Sequence, residues 1–236
     1  MYHINSSGLV KPSHTTKTPI ISTFHIQDLL PTDQGKMASV TSYTPDQLLV
    51  KAAEFVEQCH YDIGAKFYLR ALEMNPKDTN IMDALADAHL QLDQVDEAVL
   101  LLEKSVSLAP SSGPSKWLSL AQLKQGQDAA ACYGQGILLL TQEKNSSRQH
   151  ANALASAHCS VMELYMTDLC DTVDAEEICE TNLASALQLN PEGFEPNTMG
   201  ASLRLVQQRK DEAVVHVNKM IAAVNTEETR HEGEAI

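Results

Sequence analysis

Ala71-Leu72-Glu73-Met74-Asn75-Pro76 recurs as Ser105-Val106-Ser107-Leu108-Ala109-Pro110, a step of 34 residues. The same step pairs Leu48 with Met82, Ala52 with Ala86, Phe55 with His89, Gly64 with Ala98 and Tyr68 with Leu102. Small residues return where two helices must approach closely, and large apolar residues return where a core must be filled. Ala186-Leu187-Gln188-Leu189-Asn190-Pro191 is a third copy of the same ending. Each ending closes a helix, because proline disfavours the helical conformation in the residue before it.

A period of 34 residues ending in proline is the signature of the tetratricopeptide repeat, a helix–turn–helix unit. One unit cannot bury its apolar face alone, so units stack into a solenoid with a concave groove. The expected fold is all-α, a right-handed tetratricopeptide-repeat solenoid of about five helical hairpins. Residues 44–225 form this domain. Residues 1–43 are rich in Ser, Thr, Pro and His without a sustained period, and are expected to be disordered. A short helical piece is expected from Ile20 to Leu30, where Phe24, Ile26, Leu29 and Leu30 share a face. Met37 precedes a fresh polar start, which marks residues 1–36 as an optional extension or a translation artefact. Residues 226–236 are expected to be a short, acidic, mobile tail.

Local signals place the helices. Thr44-Pro45-Asp46-Gln47 sets a capping threonine before proline at the first helical position, with glutamine three residues after the cap. The second helix runs from Tyr61 to Met74, and the next two from about Thr79 to Leu92 and Gln94 to Leu108. Repeat three opens at Trp117-Leu118, with Trp117 expected in the core. It is then cut short: Ala121 to Ala129 is 8 residues where Ala86 to Ala98 is 12, and Gly126 supplies the turn. Gln142 to Gln149 is a polar linker. A long helix follows from about His150 to Leu169, Cys170 to Val173 turns, and Asp174 is expected to cap the next helix with Glu177 three residues on. The fifth hairpin pairs about Glu195–Gln208 with Asp211–Val224.

Composition narrows the function. The net charge of −14 argues against direct nucleic-acid binding, which needs a basic surface, and favours a basic partner. No apolar run approaches the roughly 18–20 residues of a membrane span, and no compact apolar block marks a signal peptide at the N-terminus. The default setting is therefore cytosolic or nuclear. The 5 cysteines show neither CxxC nor zinc spacing, and read as small buried hydrophobes in a reducing compartment. No phosphate loop, dinucleotide fingerprint, HExxH or nucleophile elbow occurs. His150 and His158 lie about two turns apart on one helix, too far to share a metal without other ligands. No enzyme, cofactor or metal is expected, and the chain is expected to be monomeric alone.

The candidate site is acidic. No Lys or Arg lies between Lys77 and Lys104, a stretch holding 7 acids with Asp78 and Glu103 at its ends. In tetratricopeptide repeats the first helix of each unit lines the groove, which assigns Asn80, Asp83, Asp87 and Leu90 to it. Asp83 and Asp87 are four apart and share a helix face, where like charges cost a few tenths of a kcal/mol that a basic ligand would relieve. By the same register Leu118, Gln122 and Glu163 face the groove. Glu163 and Asp168 belong to a second acidic stretch, with 9 acids and no Lys or Arg between Arg148 and Arg204.

The middle of the chain is more specific than a generic repeat. Trp117-Leu118-Ser119-Leu120-Ala121-Gln122-Leu123, Gly126, Ala129, Cys132-Tyr133, Gly136-Ile137, Ser160-Val161, Glu163, Tyr165-Met166-Thr167-Asp168-Leu169-Cys170, Asp174-Ala175-Glu176 and Cys179-Glu180 resemble one family. These strings are similar to those of the dedicated assembly chaperones of the large-subunit ribosomal protein L-four, over roughly residues 44–225. The resemblance implies a non-catalytic protein. It would hold newly made L-four in the cytoplasm through a basic internal loop and accompany it into the nucleus. The N-terminal 36 residues are not a feature of that family, and the acidic tail is short for it.

Two other readings compete. An adaptor for the acidic C-terminus of a heat-shock chaperone needs a carboxylate clamp of Lys, Arg and Asn. The predicted groove positions Leu49, Ala53, Asp83, Asp87, Leu118, Gln122 and Glu163 contain no Lys or Arg. A scaffold subunit would use the convex surface instead. Reversing Asp83 and Asp87 together to lysine is expected to separate a groove-bound basic loop from a convex contact.

Overall fold

The computed structural model describes residues 43–145 and 147–233. The expected disordered N-terminus, apart from Tyr43, and the helical piece at Ile20–Leu30 lie outside the described residues. Among the described residues there are ten helices and no strand, paired as five hairpins: α1 (Pro45–Glu57) with α2 (Tyr61–Met74), α3 (Thr79–Gln91) with α4 (Val95–Leu108), α5 (Pro114–Leu123) with α6 (Gly126–Gln142), α7 (Arg148–Met166) with α8 (Ala175–Leu189), and α9 (Phe194–Val206) with α10 (Lys210–Gly233). Each helix packs on its hairpin partner, and the second helix of each hairpin packs on the first helix of the next. This is the tetratricopeptide-type helical solenoid.

The first helix starts as its sequence dictates. The Thr44 hydroxyl accepts from the Gln47 N–H at 3.3 Å, and the Gln47 side chain accepts from the Thr44 N–H at 2.9 Å. The two donors are satisfied reciprocally, with Pro45 supplying a preset φ. The three repeat endings share one geometry. Asn75, Ala109 and Asn190 have φ of −126°, −139° and −143° and ψ of 70°, 69° and 77°, a shared non-helical conformation, since the following proline disfavours the helical one. Their N–H groups donate to Ala71, Ser105 and Ala186, and those three residues are fully buried.

The hairpin turns repeat as well. Cys59, Asp93 and Gln208 adopt φ of 61°, 58° and 62° at the same point of repeats one, two and five. The following residue donates back across the turn in each case: His60 to Phe55 at 2.8 Å, Gln94 to His89 at 2.9 Å and Arg209 to Arg204 at 2.8 Å. This is the Schellman closure of a helix, built without glycine.

Repeat three departs from the pattern. Helix α5 has 10 residues where α1 and α3 have 13, and Gly126 turns the chain at φ 54°. Gly136 admits the close approach of α5 to α6, because a Cβ there would lie 2.5 Å from Leu118 Cδ2.

Two expectations change. Asp174 stands at the N-cap of α8, but its carboxylate makes no capping hydrogen bond. Its ψ of 10° is not the extended conformation that aims an N-cap side chain at the first free N–H groups. Helix α10 also continues past Val224 to Gly233, so residues 226–233 extend it. No Pro or Gly interrupts 211–232, which removes the local reason for the helix to stop.

The core is a string of clusters. Leu48, Leu72, Ile81, Met82 and Leu85 fill the first, between repeats one and two. Ala86, Leu102, Leu120, Tyr133, Val161 and Leu164 fill the second, from α3 to α7. Met162, Cys179, Leu183 and Leu203 form a small third cluster, and Ala155, Cys159 and Ala186 a fourth. Trp117 packs at the edge of the second cluster and donates from Nε1 to the Pro110 carbonyl at 3.1 Å.

Candidate functional site

Helix α3 carries the densest part of the candidate site, because positions 80, 83, 87 and 90 step three, four and three along one face. Asn80 and Asp87 are exposed, Asp83 is half-buried, and Leu90 rests on the second core cluster. Leu118 rests on the same cluster, packed against Gly136, and therefore works mainly as a packing residue. Gln122, Glu163 and Asp168 are exposed. The segments bearing Asp87, Gln122, Glu163 and Asp168 thus stand on one continuous core from α3 to α7. Asp168 lies beyond the last turn of α7 rather than within it. Among the described residues no cation faces the carboxylates of Asp87, Glu163 or Asp168.

Asp83 and Asp87 differ more than their spacing predicts. Burial pushes both carboxyls above the ordinary carboxylate range, and for Asp87 the neighbouring Asp83 charge adds to the push. Such a group favours the folded state when protonated and opposes it once pH rises through its raised pKa. Asp83 has counterweights, the Ser105 hydroxyl first and the Lys116 ammonium second. Asp83 Oδ1 is covered from solvent, and so is Ser105 Oγ.

Lys116 is the residue that periodicity hides. It is only 3% exposed, and it occupies the register of Leu48 and Met82, 34 residues beyond the latter. Its Nζ donates to the Ser105 carbonyl at 3.5 Å. Ser105 itself stands where the other repeat endings place Ala71 and Ala186. A lysine and a serine in two core positions, with an aspartate one helix away, join repeats two and three by a polar contact. Sequence reasoning misses this cluster because a lone lysine reads as surface. The signal available was its coincidence with the Leu48–Met82 register.

The second acidic stretch is partly neutralised from within. The Arg204 guanidinium forks onto both Glu180 oxygens, with Nη2–Oε2 at 2.9 Å, and Gln207 donates to the same carboxylate at 2.9 Å. These contacts, led by the Arg204 hydrogen bond, hold the Glu180 carboxyl below the usual range. Fully buried Asn197 joins the last hairpin to the ending of repeat four. Its Nδ2 donates to the Pro191 carbonyl at 3.0 Å, and its Oδ1 meets His216 Nδ1 at 3.0 Å. The groups of this stretch that remain open are on the α7 side, at Glu163 and Asp168.

No described constellation matches an active site or a metal site. Among the described residues no group of three or more His, Cys, Asp or Glu is placed to hold a metal ion. His150 faces Glu143 at 3.5 Å, whereas His158 meets Asn182 at 2.7 Å. No helix among the described residues is long and apolar enough to cross a membrane. Cys132, Cys159 and Cys179 are buried, and burial pushes their thiols up, that of Cys159 to about 12. Cys59 and Cys170 are exposed. At pH 8 a disulfide reagent is expected to titrate those 2 thiols quickly in the native protein and all 5 only after denaturation. Fast reaction of a third would show that one of the buried sites opens.

No family model matches the chain. It is 31% identical over 165 residues to the "Probable assembly chaperone of rpl4" of Schizosaccharomyces pombe, which covers 66% of this chain and 49% of that protein. It is 26% identical over 184 residues to the protein of the same name in Emericella nidulans, covering 72% of this chain and 46% of that protein. The chain thus spans about half the length of the curated relatives it matches. Among solved structures, the assembly chaperone of RpL4 named Acl4 superimposes with a TM-score of 0.70 at 26% identity, over 77% of this chain and 75% of that one.

Proposed function

We propose that this chain, a relative of the assembly chaperones of rpl4, is a dedicated chaperone for that ribosomal protein. It binds newly made, basic rpl4 along the acidic faces of its first-of-pair helices, keeps it soluble in the cytoplasm and delivers it to large-subunit assembly in the nucleus. The observation that carries the reading is the coincidence of two independent facts. The fold is that of Acl4, and the open carboxylates Asp87, Glu163 and Asp168 stand on one core with no facing cation among the described residues. A segment that later binds ribosomal RNA is basic, and an acidic groove shields it from premature RNA contact. Opposite charge speeds the capture of such a chain and makes it sensitive to salt.

The work is binding rather than catalysis, with no cofactor, no direct contact to nucleic acid and no membrane. A monomer suffices, because one array offers one groove. A general adaptor for acidic peptides is disfavoured by the same open carboxylates, which would repel them.

Purified rpl4 and this chain, mixed and separated by size, are expected to co-elute in about 0.1 M salt and to dissociate substantially near 1 M, where the screening length has fallen from about 10 Å to about 3 Å. Without the chain, rpl4 is expected to precipitate under the first condition. Soluble rpl4 that never co-elutes with the chain would refute the assignment.

A further inference from the structure

An open concavity lies between the first hairpin and α3, and its composition is uneven. Val56, Tyr61, Ala88 and Leu90 supply apolar surface, while Asp87 and Gln91 supply the polar groups. Asp87 and Gln91 are four apart and exposed, so they stand together on one face of α3. Among the described residues no cation faces the carboxylate, which shares its helix face with Asp83. Tyr68, half-buried on α2, lies close enough for the Asp87 charge to oppose ionisation of its phenol.

This combination suits one kind of guest. A purely apolar side chain would leave the carboxylate further desolvated without a partner, which is costly. An acidic side chain would be repelled. A long basic side chain fits both halves, because its methylene stem lies on apolar surface while its charged head reaches the acid. The aromatic face of Tyr61 adds attraction for a cation.

We propose that this concavity holds the stem of one lysine or arginine of the bound chain, with its charged head on Asp87. The inference rests on the reading of the protein as an rpl4 chaperone and adds to it a specific side-chain pocket. Capture by a diffuse acidic surface requires no such pocket. Gln91 is then the rim of the pocket, and Val56 and Leu90 form part of its apolar lining.

The test measures rpl4 affinity for the parent chain and for Asp87→Asn, Gln91→Trp and Glu97→Gln. Glu97 is exposed at the start of α4, so Glu97→Gln controls for loss of one charge from the acidic repeat. Asp87→Asn is expected to weaken binding about tenfold and to flatten its salt dependence. Gln91→Trp, which fills the concavity from its rim, is expected to weaken binding about as much while leaving the salt dependence unchanged. Glu97→Gln is expected to change affinity less than twofold. Thermal melts are recorded for all variants, so loss of folding is visible separately. A charge swap completes the test: Asp87→Lys is expected to recover binding with an rpl4 variant in which one particular basic residue is replaced by glutamate. If rpl4 binds the parent but Asp87→Asn and Gln91→Trp bind equally well, the pocket is overturned and the chaperone reading stands. If rpl4 does not bind the parent at all, both fall.

Discussion

Asp83→Lys is expected to lower the stability of the fold by about 3–5 kcal/mol. The site is half-buried, one of its carboxylate oxygens is covered, and the charge it helps to balance is the ammonium of Lys116, itself 3% exposed. A lysine at position 83 removes the anion and sets a second cation beside the first, with little water to solvate either. Asp83→Asn keeps the shape and removes a charge that burial opposes, while leaving Lys116 without its anion; the two effects offset, and a change within about 1 kcal/mol is expected. Asp87→Lys, four residues along, is expected to leave the melting temperature within about 2 °C, because that side chain is the more exposed of the two and balances no buried cation. Urea denaturation of the three variants gives the comparison. If Asp83→Lys unfolds at the parent's midpoint, Asp83 does not support Lys116 and returns to the groove. The double reversal of Asp83 and Asp87, which the sequence recommends as a binding test, would confound binding with folding. Asp87 alone is the informative position.

The second large effect is expected at Met162. It is completely buried in a cluster with only Cys179, Leu183 and Leu203 as its other fully buried members. Met162→Ala is expected to cost about 2–5 kcal/mol, from lost transfer energy and from a cavity that so small a cluster can close only in part. In a linear array each unit touches only its neighbours, so the damage stays local. Helices α7 to α9 are expected to melt first, which splits a single unfolding transition into two. The aromatic residues divide the signal usefully, because Trp117 reports on α5 and the cluster from α3 to α7. Tryptophan fluorescence and circular dichroism should therefore separate in the variant and coincide in the parent. Coincident curves in Met162→Ala would mean that the clusters unfold as one body.

The parts of the fold that follow from local chemistry were legible. Thr44, Pro45 and Gln47 specify a helix start within four residues, and both capping hydrogen bonds form. The three endings before Pro76, Pro110 and Pro191 specify helix ends, because the proline ring acts on its own neighbour. The shortened third repeat was legible by counting residues between small positions. Contacts between distant residues were not. Asp83, Ser105 and Lys116 meet only when α3, α4 and α5 are stacked, and nothing within a few residues of Lys116 announces its burial. Register places Leu118 in the groove, yet its side chain also packs against Gly136 across the hairpin. Asp174 had the residue type of a cap without its backbone conformation. Helix α10 overran its expected end because an acidic sequence without Pro or Gly remains a competent helix.

The short α5 also changes the outline of the array. Helix α5 has 10 residues and α3 has 13, a shortfall of about 4.5 Å, or nearly one turn. That length is lost along the helix axis, across the array rather than along it, so the stacking of one hairpin on the next is untouched. The face that α5 presents is narrower than the face of α3 by nearly one turn. The middle repeat is the waist of the array, and it is set by counting residues alone.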